Sequence, residues 1–204
     1  MGDEWWIREA LAGLGRSADP GEIARMLTAI ETANGEGNRL DPPGIDTDPR
    51  LHRLVHMDVF RDAGLDAAMS DALYALDADP RFNVFACDTA ATLQGLRQRG
   101  IAVAVISDIH FDVRPHFAKS GFQGLVDVFT LSFEKGVQKP DPLMFELTLT
   151  ALGVEPSTAL MVGDRSRPDG AAVEHGITTL LLPPLRDAHD ARLHKVLALC
   201  DADI

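Results

Sequence analysis

The chain has 204 residues, of which 46% are hydrophobic, and its formal net charge is −12 at neutral pH. This length and composition suffice for one domain with a buried core, or for one domain that carries a small insert. The acidic balance argues against nucleic acids and anionic membranes as partners, because both are bound by clustered Lys and Arg.

The cysteine content and the N-terminal residues predict the cellular compartment. Cys87 and Cys200 lie far apart without metal-ligand spacing, which favours reduced thiols. No apolar stretch approaches the ~20 residues of a membrane span. The first six residues have neither the basic region nor the apolar segment of a signal peptide. We therefore expect a soluble, cytoplasmic protein.

The first part of the chain, residues 1–82, is predicted to form a helical domain. Apolar residues recur there at helical spacing, and the pair Asp19-Pro20 is a typical helix start. Helices are predicted over residues 4–14, 20–33, 50–63 and 66–78. His52 and His56 are four residues apart, as in some metal sites, but no Glu completes a metalloprotease motif. We expect both imidazoles to lie on the ordinary helix surface.

Strands alternate with helices in the second part of the chain, residues 83–204. Strands are predicted over 101–106, 128–132, 159–163 and 177–182, and helices over 89–99, 112–120, 141–152, 169–175 and 190–200. The apolar run at 101–106 is typical of a parallel strand that is fully buried. Alternation of this kind predicts a parallel sheet with right-handed crossovers. The predicted fold class is therefore α/β, a three-layer Rossmann-like core with an N-terminal helical domain.

Polar side chains follow three of the predicted strands. Ser107 and Asp108 end the first strand, Lys139 follows the second in a loop before a helix that starts with Pro, and Asp164 ends the third. Asp169 lies five residues beyond Asp164. In open α/β sheets the carboxyl ends of the strands meet at one crevice, so we expect these groups to converge.

The residue types in this crevice predict a site for a small phosphorylated molecule and Mg²⁺. The Ser107 hydroxyl and the Lys139 ammonium are suited to phosphoryl oxygens. Asp108 is assigned to the same phosphate site, although its role stays open because a carboxylate would repel phosphate. The carboxylates of Asp164 and Asp169 are suited to the metal.

These motifs resemble those of the haloacid dehalogenase-like hydrolase superfamily over about residues 85–185. Ser107 matches its second motif, Lys139 in Lys-Pro-Asp-Pro its third, and Asp164 with Asp169 its fourth. The helices before them resemble the family's inserted cap. The resemblance implies Ser107 and Lys139 as catalytic residues, Mg²⁺, an aspartyl nucleophile with a covalent intermediate, and a phosphate monoester as substrate. Dehalogenation is the weaker alternative, since the family's dehalogenases work without metal.

The family's first motif, Asp-x-Asp-x-Thr at the end of the first core strand, has no counterpart before the helix that begins near Glu4. Asp88 and Thr92 mimic it, but the interval to Ser107 holds only one helix and one strand, and Asp commonly caps a helix start. Three explanations stay open: a start upstream of Met1, a trimmed chain, or a non-catalytic relative that binds phosphate. We expect one of the first two, because loss of a central strand exposes the edges of its neighbours.

Overall fold

The structure, a computed structural model, describes residues 4–79 and 82–200. The chain divides into two compact units, Met1–Asn83 and Val84–Ile204. We call the first the helical unit and the second the α/β unit. No helix in the described ranges is long and apolar enough to cross a membrane.

The helical unit contains four helices whose apolar faces meet in one core. These are α1 (Glu4–Gly13), α2 (Pro20–Asn34), α3 (Pro49–Asp62) and α4 (Ala67–Asp77). Each of the last three begins after an Asp whose side chain accepts a backbone N–H of the first turn, which satisfies an otherwise unpaired donor. Val59 and Phe60 are essentially fully buried in this core. Burial of a side chain of this size contributes about 1.5–3 kcal/mol.

His52 and His56 are buried within the helical unit, at 5% and 1% exposure, so the prediction of a surface position is wrong. Burial is possible because their ring nitrogens find polar partners. His52 Nδ1 is 3.1 Å from the Tyr74 hydroxyl, and His56 Nδ1 is 2.8 Å from the His52 carbonyl oxygen. Burial lowers the pKa of His56, which favours the neutral imidazole.

The α/β unit contains four strands and five α-helices in its described part. The strands are β1 (Ala104–Ser107), β2 (Val128–Leu131), β3 (Leu160–Gly163) and β4 (Thr178–Leu181). The helices are α5 (Thr89–Gln98), α6 (Arg114–Lys119), α7 (Ser132–Lys135), α8 (Pro142–Leu152) and α9 (His194–Cys200). β1 pairs with β2 and β3 with β4, both in parallel. The predicted α/β class with parallel strands is confirmed.

The strands form two separate pairs within the described ranges. One consequence is that every residue of β1 is half-buried, so the prediction of a fully buried strand at 101–106 is wrong. β1 has a hydrogen-bonded neighbour on one side only, which leaves the other side of its backbone without a ladder in the described part. The segment Gly170–His175 also differs from prediction, since it is a 3₁₀ helix and not an α-helix.

Helix α8 connects the packing of the two strand pairs. It contacts β1, β2 and the 3₁₀ helix that follows β3. Its Phe145 is 1% exposed and forms a core cluster with Met161 of β3, Ala172 and Ile177. Ile106 of β1 packs against the same cluster. Ile106 of β1 and Met161 of β3 therefore belong to one apolar core, although their strands form separate pairs.

Candidate functional site

Lys139 lies at the centre of a chain of polar contacts at the carboxyl ends of β1 and β3. Its Nζ is 2.6 Å from Asp169 Oδ1 and 3.3 Å from the Ile106 carbonyl oxygen. Its backbone N–H donates to Asp108 Oδ1 at 2.8 Å. The side chains of Lys139 and Asp169 are only 7% and 5% exposed. One buried lysine therefore links the end of β1 to the loop that follows β3.

Asp169 uses both carboxylate oxygens within this network. Besides the contact with Lys139, its Oδ2 accepts the backbone N–H groups of Asp164 and Arg165 at 3.0 and 2.9 Å. Burial by itself raises the pKa of Asp169, but the Lys139 hydrogen bond and charge, with the two N–H groups, outweigh it and hold the pKa below its ordinary value. Asp169 is therefore an ionised support for Lys139, and its predicted metal role stays a prediction.

Gly163 makes the close approach of Asp169 possible. A Cβ at Gly163 would overlap the Asp169 carboxylate. A glycine at the end of β3 thus lets the turn fold back so that Asp169 can reach the backbone of Asp164. The Gly-Asp pair of the sequence motif has a steric reason in this structure.

Asp108 is a buried carboxylate with one unsatisfied oxygen. Its side chain is 2% exposed, and its Oδ2 has no hydrogen-bond partner among the described residues. The Arg165 guanidinium lies 3.9 Å from that oxygen. Burial raises the pKa of Asp108 in spite of the nearby charges of Lys139 and Arg165. Ser107, the preceding residue, is half-buried at the end of β1, opposite Leu131 in the strand register.

Arg192 belongs to this site, and the sequence analysis did not identify it. Its Nη1 lies 3.2 Å from Asp164 Oδ2, and its side chain is 15% exposed. The sequence gives no signal for the contact, because Arg192 stands alone in a segment predicted to be helical from residue 190. In the structure α9 begins only at His194, so Arg192 lies in the irregular segment before that helix.

Asp88 holds the segment that carries Arg192. Its Oδ2 accepts the backbone N–H groups of Leu193 and His194 at 2.7 and 2.9 Å. Asp88 stands at the N-cap position of α5, as predicted, but its side chain makes no hydrogen bond to that helix. Burial raises the pKa of Asp88, but the backbone N–H groups it accepts outweigh this effect and keep it low. An ionised Asp88 therefore stabilises the start of α9 from a distant part of the chain.

The donor set can be tested for the Mg²⁺ that the resemblance implies. Each carboxylate of the site lies beside a cation: Asp108 beside Arg165, Asp164 beside Arg192 and Asp169 beside Lys139. Mg²⁺ is held by open carboxylate oxygens together with waters. With the side chains in these positions the described residues do not fit the metal, since an ion at Asp164 would have to replace Arg192.

The structure links Asp108, Lys139, Asp169 and Asp164 by hydrogen bonds, and Ser107 joins them only as the chain neighbour of Asp108. Ser107 precedes Asp108, Asp108 bonds to the backbone of Lys139, Lys139 pairs with Asp169, and Asp169 accepts the N–H of Asp164. Three cations surround the same cluster. The cationic groups of Lys139, Arg165 and Arg192 are of the type that binds phosphoryl oxygens, and each of them lies beside a carboxylate.

Comparisons with known proteins relate this site to a hydrolase family. The family model described as haloacid dehalogenase-like hydrolase matches residues 46–175. A phosphoserine phosphatase of Thermus thermophilus is 35% identical over 83 residues, 40% of this chain and 33% of that protein. A ribulose-1,5-bisphosphate 5-phosphatase of Halopiger xanaduensis is 30% identical over 103 residues, 50% of this chain and 43% of that protein. The chain spans less than half the length of these curated relatives.

Solved structures support the fold. A HAD phosphatase from Thermococcus onnurineus superposes with a TM-score of 0.61 and 24% identity, covering 97% of this chain and 87% of that one. A 2-haloacid dehalogenase from Pseudomonas syringae gives a TM-score of 0.60 and 22% identity, covering 98% and 91%. At these identities the likeness concerns the fold alone, and it is equal for a phosphatase and a dehalogenase.

Proposed function

Since the chain belongs to the haloacid dehalogenase-like hydrolase family, we propose that its site binds and hydrolyses phosphate monoesters of small metabolites. Residues 83–204 would form the catalytic core and residues 1–82 the cap. The proposal draws support from the curated relatives, two of which are phosphatases by name. The observation that carries it is the buried Lys139, whose ammonium lies where β1 and β3 end.

Each residue of the site has a proposed part in holding the phosphoryl group. Lys139 would place a positive charge beside the phosphoryl oxygens, and Ser107 would donate its hydroxyl hydrogen to one of them. Asp169 holds the Lys139 ammonium in place through the 2.6 Å contact. Asp108 fixes the backbone of Lys139. Mg²⁺ at Asp164 stays a prediction from the resemblance, and no chemical step is assigned to it here.

We further propose that the nucleophile reaches this site on an additional strand, parallel to β1 and β3. Support comes from the two separate strand pairs, which leave one side of β1 and one side of β3 without a ladder in the described ranges. A strand there would end beside Lys139. Its carboxylate would attack phosphorus as the ester oxygen leaves, and water would then hydrolyse the acyl phosphate to inorganic phosphate.

A phosphate-binding protein without turnover is the second candidate. It is favoured by the pairing of each described carboxylate of the site with a cation. Asp164 faces Arg192 and Asp169 is fully hydrogen-bonded. Neither is placed as a free nucleophile.

Two measurements on the same preparation test these candidates. The first is the shift in melting temperature on addition of inorganic phosphate or orthovanadate. We expect these anions to raise the melting temperature of the 204-residue chain. We expect no such increase in Ser107→Ala. The second is p-nitrophenyl phosphate hydrolysis with and without Mg²⁺, for this chain and for the protein isolated from its native cell, whose intact mass is recorded.

The outcomes separate the candidates. Turnover by a native form heavier than 22.1 kDa, with none by the 204-residue chain, supports the phosphatase and the additional strand. Phosphate binding without turnover by a native form of 22.1 kDa supports the binding protein. Turnover by the 204-residue chain that Asp88→Asn abolishes would contradict the assignment of the nucleophile to another strand. Absence of any phosphate effect would refute both candidates.

A further inference from the structure

The contact between Arg192 and Asp164 has a consequence for metal binding at this edge of the α/β unit. Arg192 Nη1 lies 3.2 Å from Asp164 Oδ2, while its own Nε is buried without a hydrogen-bond partner in the part of the chain that the structure describes. Asp164 is the carboxylate that lies at hydrogen-bond distance from this guanidinium.

The segment that carries Arg192 is fixed on both sides of the contact. Directly after Arg192 in the chain, the backbone N–H groups of Leu193 and His194 donate to the Asp88 carboxylate. The helix that follows, α9, packs closely on α5. A Cβ at Gly95 of α5 would lie only 3.0 Å from a methyl group of Leu197 in α9. The backbone position of Arg192 is therefore set by the fold of the α/β unit.

We propose that Arg192 and a divalent metal ion compete for Asp164. Both cations need the same carboxylate oxygens, and two cations this close repel each other. Arg192 is the cation beside Asp164 in this structure, and a metal ion binds only when the guanidinium leaves Asp164. This inference rests on the proposed function for the presence of a metal at the site, but its geometry is independent of substrate.

The chemistry of Asp164 defines the expected effect of removing Arg192. An ion pair of this exposure is worth a modest free energy, which corresponds to about a three- to tenfold change in a binding constant. Arg192→Gln keeps a hydrogen-bonding side chain but removes the charge. Arg186→Gln is the matched control, because Arg186 is exposed in the same C-terminal region and its loss changes the net charge by the same amount.

Binding of Mn²⁺ to the 204-residue chain, followed by electron paramagnetic resonance of the free ion, tests the competition. We expect Arg192→Gln to bind Mn²⁺ about three- to tenfold more tightly than wild type, Arg186→Gln to match wild type, and Asp164→Asn to remove the gain when combined with Arg192→Gln. Asp88→Asn removes the anchor of the segment that carries Arg192, so we expect a smaller increase in Mn²⁺ affinity. This variant replaces Arg192→Gln in the test if Arg192→Gln does not fold.

The inference is overturned if Arg192→Gln binds Mn²⁺ no better than Arg186→Gln, if the gain survives Asp164→Asn, or if none of the variants binds the ion. These results concern metal affinity alone. A failure of phosphate binding or turnover with the Mn²⁺ pattern intact would instead overturn the proposed function and leave the competition standing.

Discussion

The buried pair of Lys139 and Asp169 is predicted to be a principal source of stability in the α/β unit. Its side chains are 7% and 5% exposed, and Nζ lies 2.6 Å from Oδ1. In Lys139→Met the apolar chain is largely retained and the charge is lost. Asp169 then stays buried as an anion, held only by its two backbone N–H partners.

The expected magnitude follows from this geometry. Removing one partner of a buried ion pair costs about 3–5 kcal/mol, and the two remaining hydrogen bonds to Asp169 place the value near the lower end, about 3 kcal/mol. For a unit of this size that corresponds to a decrease in melting temperature of roughly 10 °C. In the double variant with Asp169→Asn the losses should be less than additive by about 1–3 kcal/mol.

Thermal unfolding followed by circular dichroism measures the effect, with Lys135→Met as the control. Lys135 is an exposed lysine of the same unit, so this control removes one charge without touching a buried partner. We expect the control to change the melting temperature by about 2 °C or less, since surface substitutions are usually within ±0.5 kcal/mol. If Lys139→Met melts within the same interval, the buried pair is not a principal source of stability in the α/β unit.

Three further predictions concern neighbouring residues. Gly163→Ala should strongly destabilise the α/β unit in the same melting assay, because the added Cβ overlaps Asp169. Gly170→Ala is the control and should be tolerated, since its Cβ meets only a Leu181 methyl at 3.9 Å. Equal decreases in melting temperature for the two variants would refute the steric explanation. Asp108→Asn should melt at a higher temperature than wild type at pH 7, because the raised pKa of Asp108 in the folded state means that its ionisation costs stability at that pH. The difference in melting temperature between the two proteins should shrink as the pH falls through that pKa. A difference that stays constant with pH would contradict the effect of burial on Asp108. Asp88→Asn should increase amide exchange at the start of α9, where two backbone N–H groups lose an ionised acceptor, and unchanged protection would show that α9 needs no such anchor.

The proximity of Lys139, Asp164 and Asp169 could be predicted from the sequence because each one follows a local rule. Ser107, Asp164 and Lys139 were identified from their positions after apolar runs or before a helix-starting Pro, and strand ends of a parallel sheet must meet at one edge. The helix starts followed equally local signals, such as the capping box of Asp19 with Glu22.

What could not be predicted depends on contacts between distant parts of the chain. Arg192 and Asp88 carry no motif, and their roles appear only when α9 packs on α5. The burial of His52 also escaped prediction, since periodicity marks apolar faces and treats a histidine among them as polar. The partial burial of β1 depends on which strands lie beside it, and a single apolar run contains no such information.

The contacts of Asp88 span 105 and 106 residues of sequence, from the first helix of the α/β unit to its last. Closing so long a loop is entropically costly and slow compared with local contacts. Synthesis on the ribosome adds an order in time, because Arg192 is translated after Lys139 and Asp169. The cation at Asp164 is therefore the last part of the site to leave the ribosome, and until then this carboxylate has no Arg192 to neutralise it.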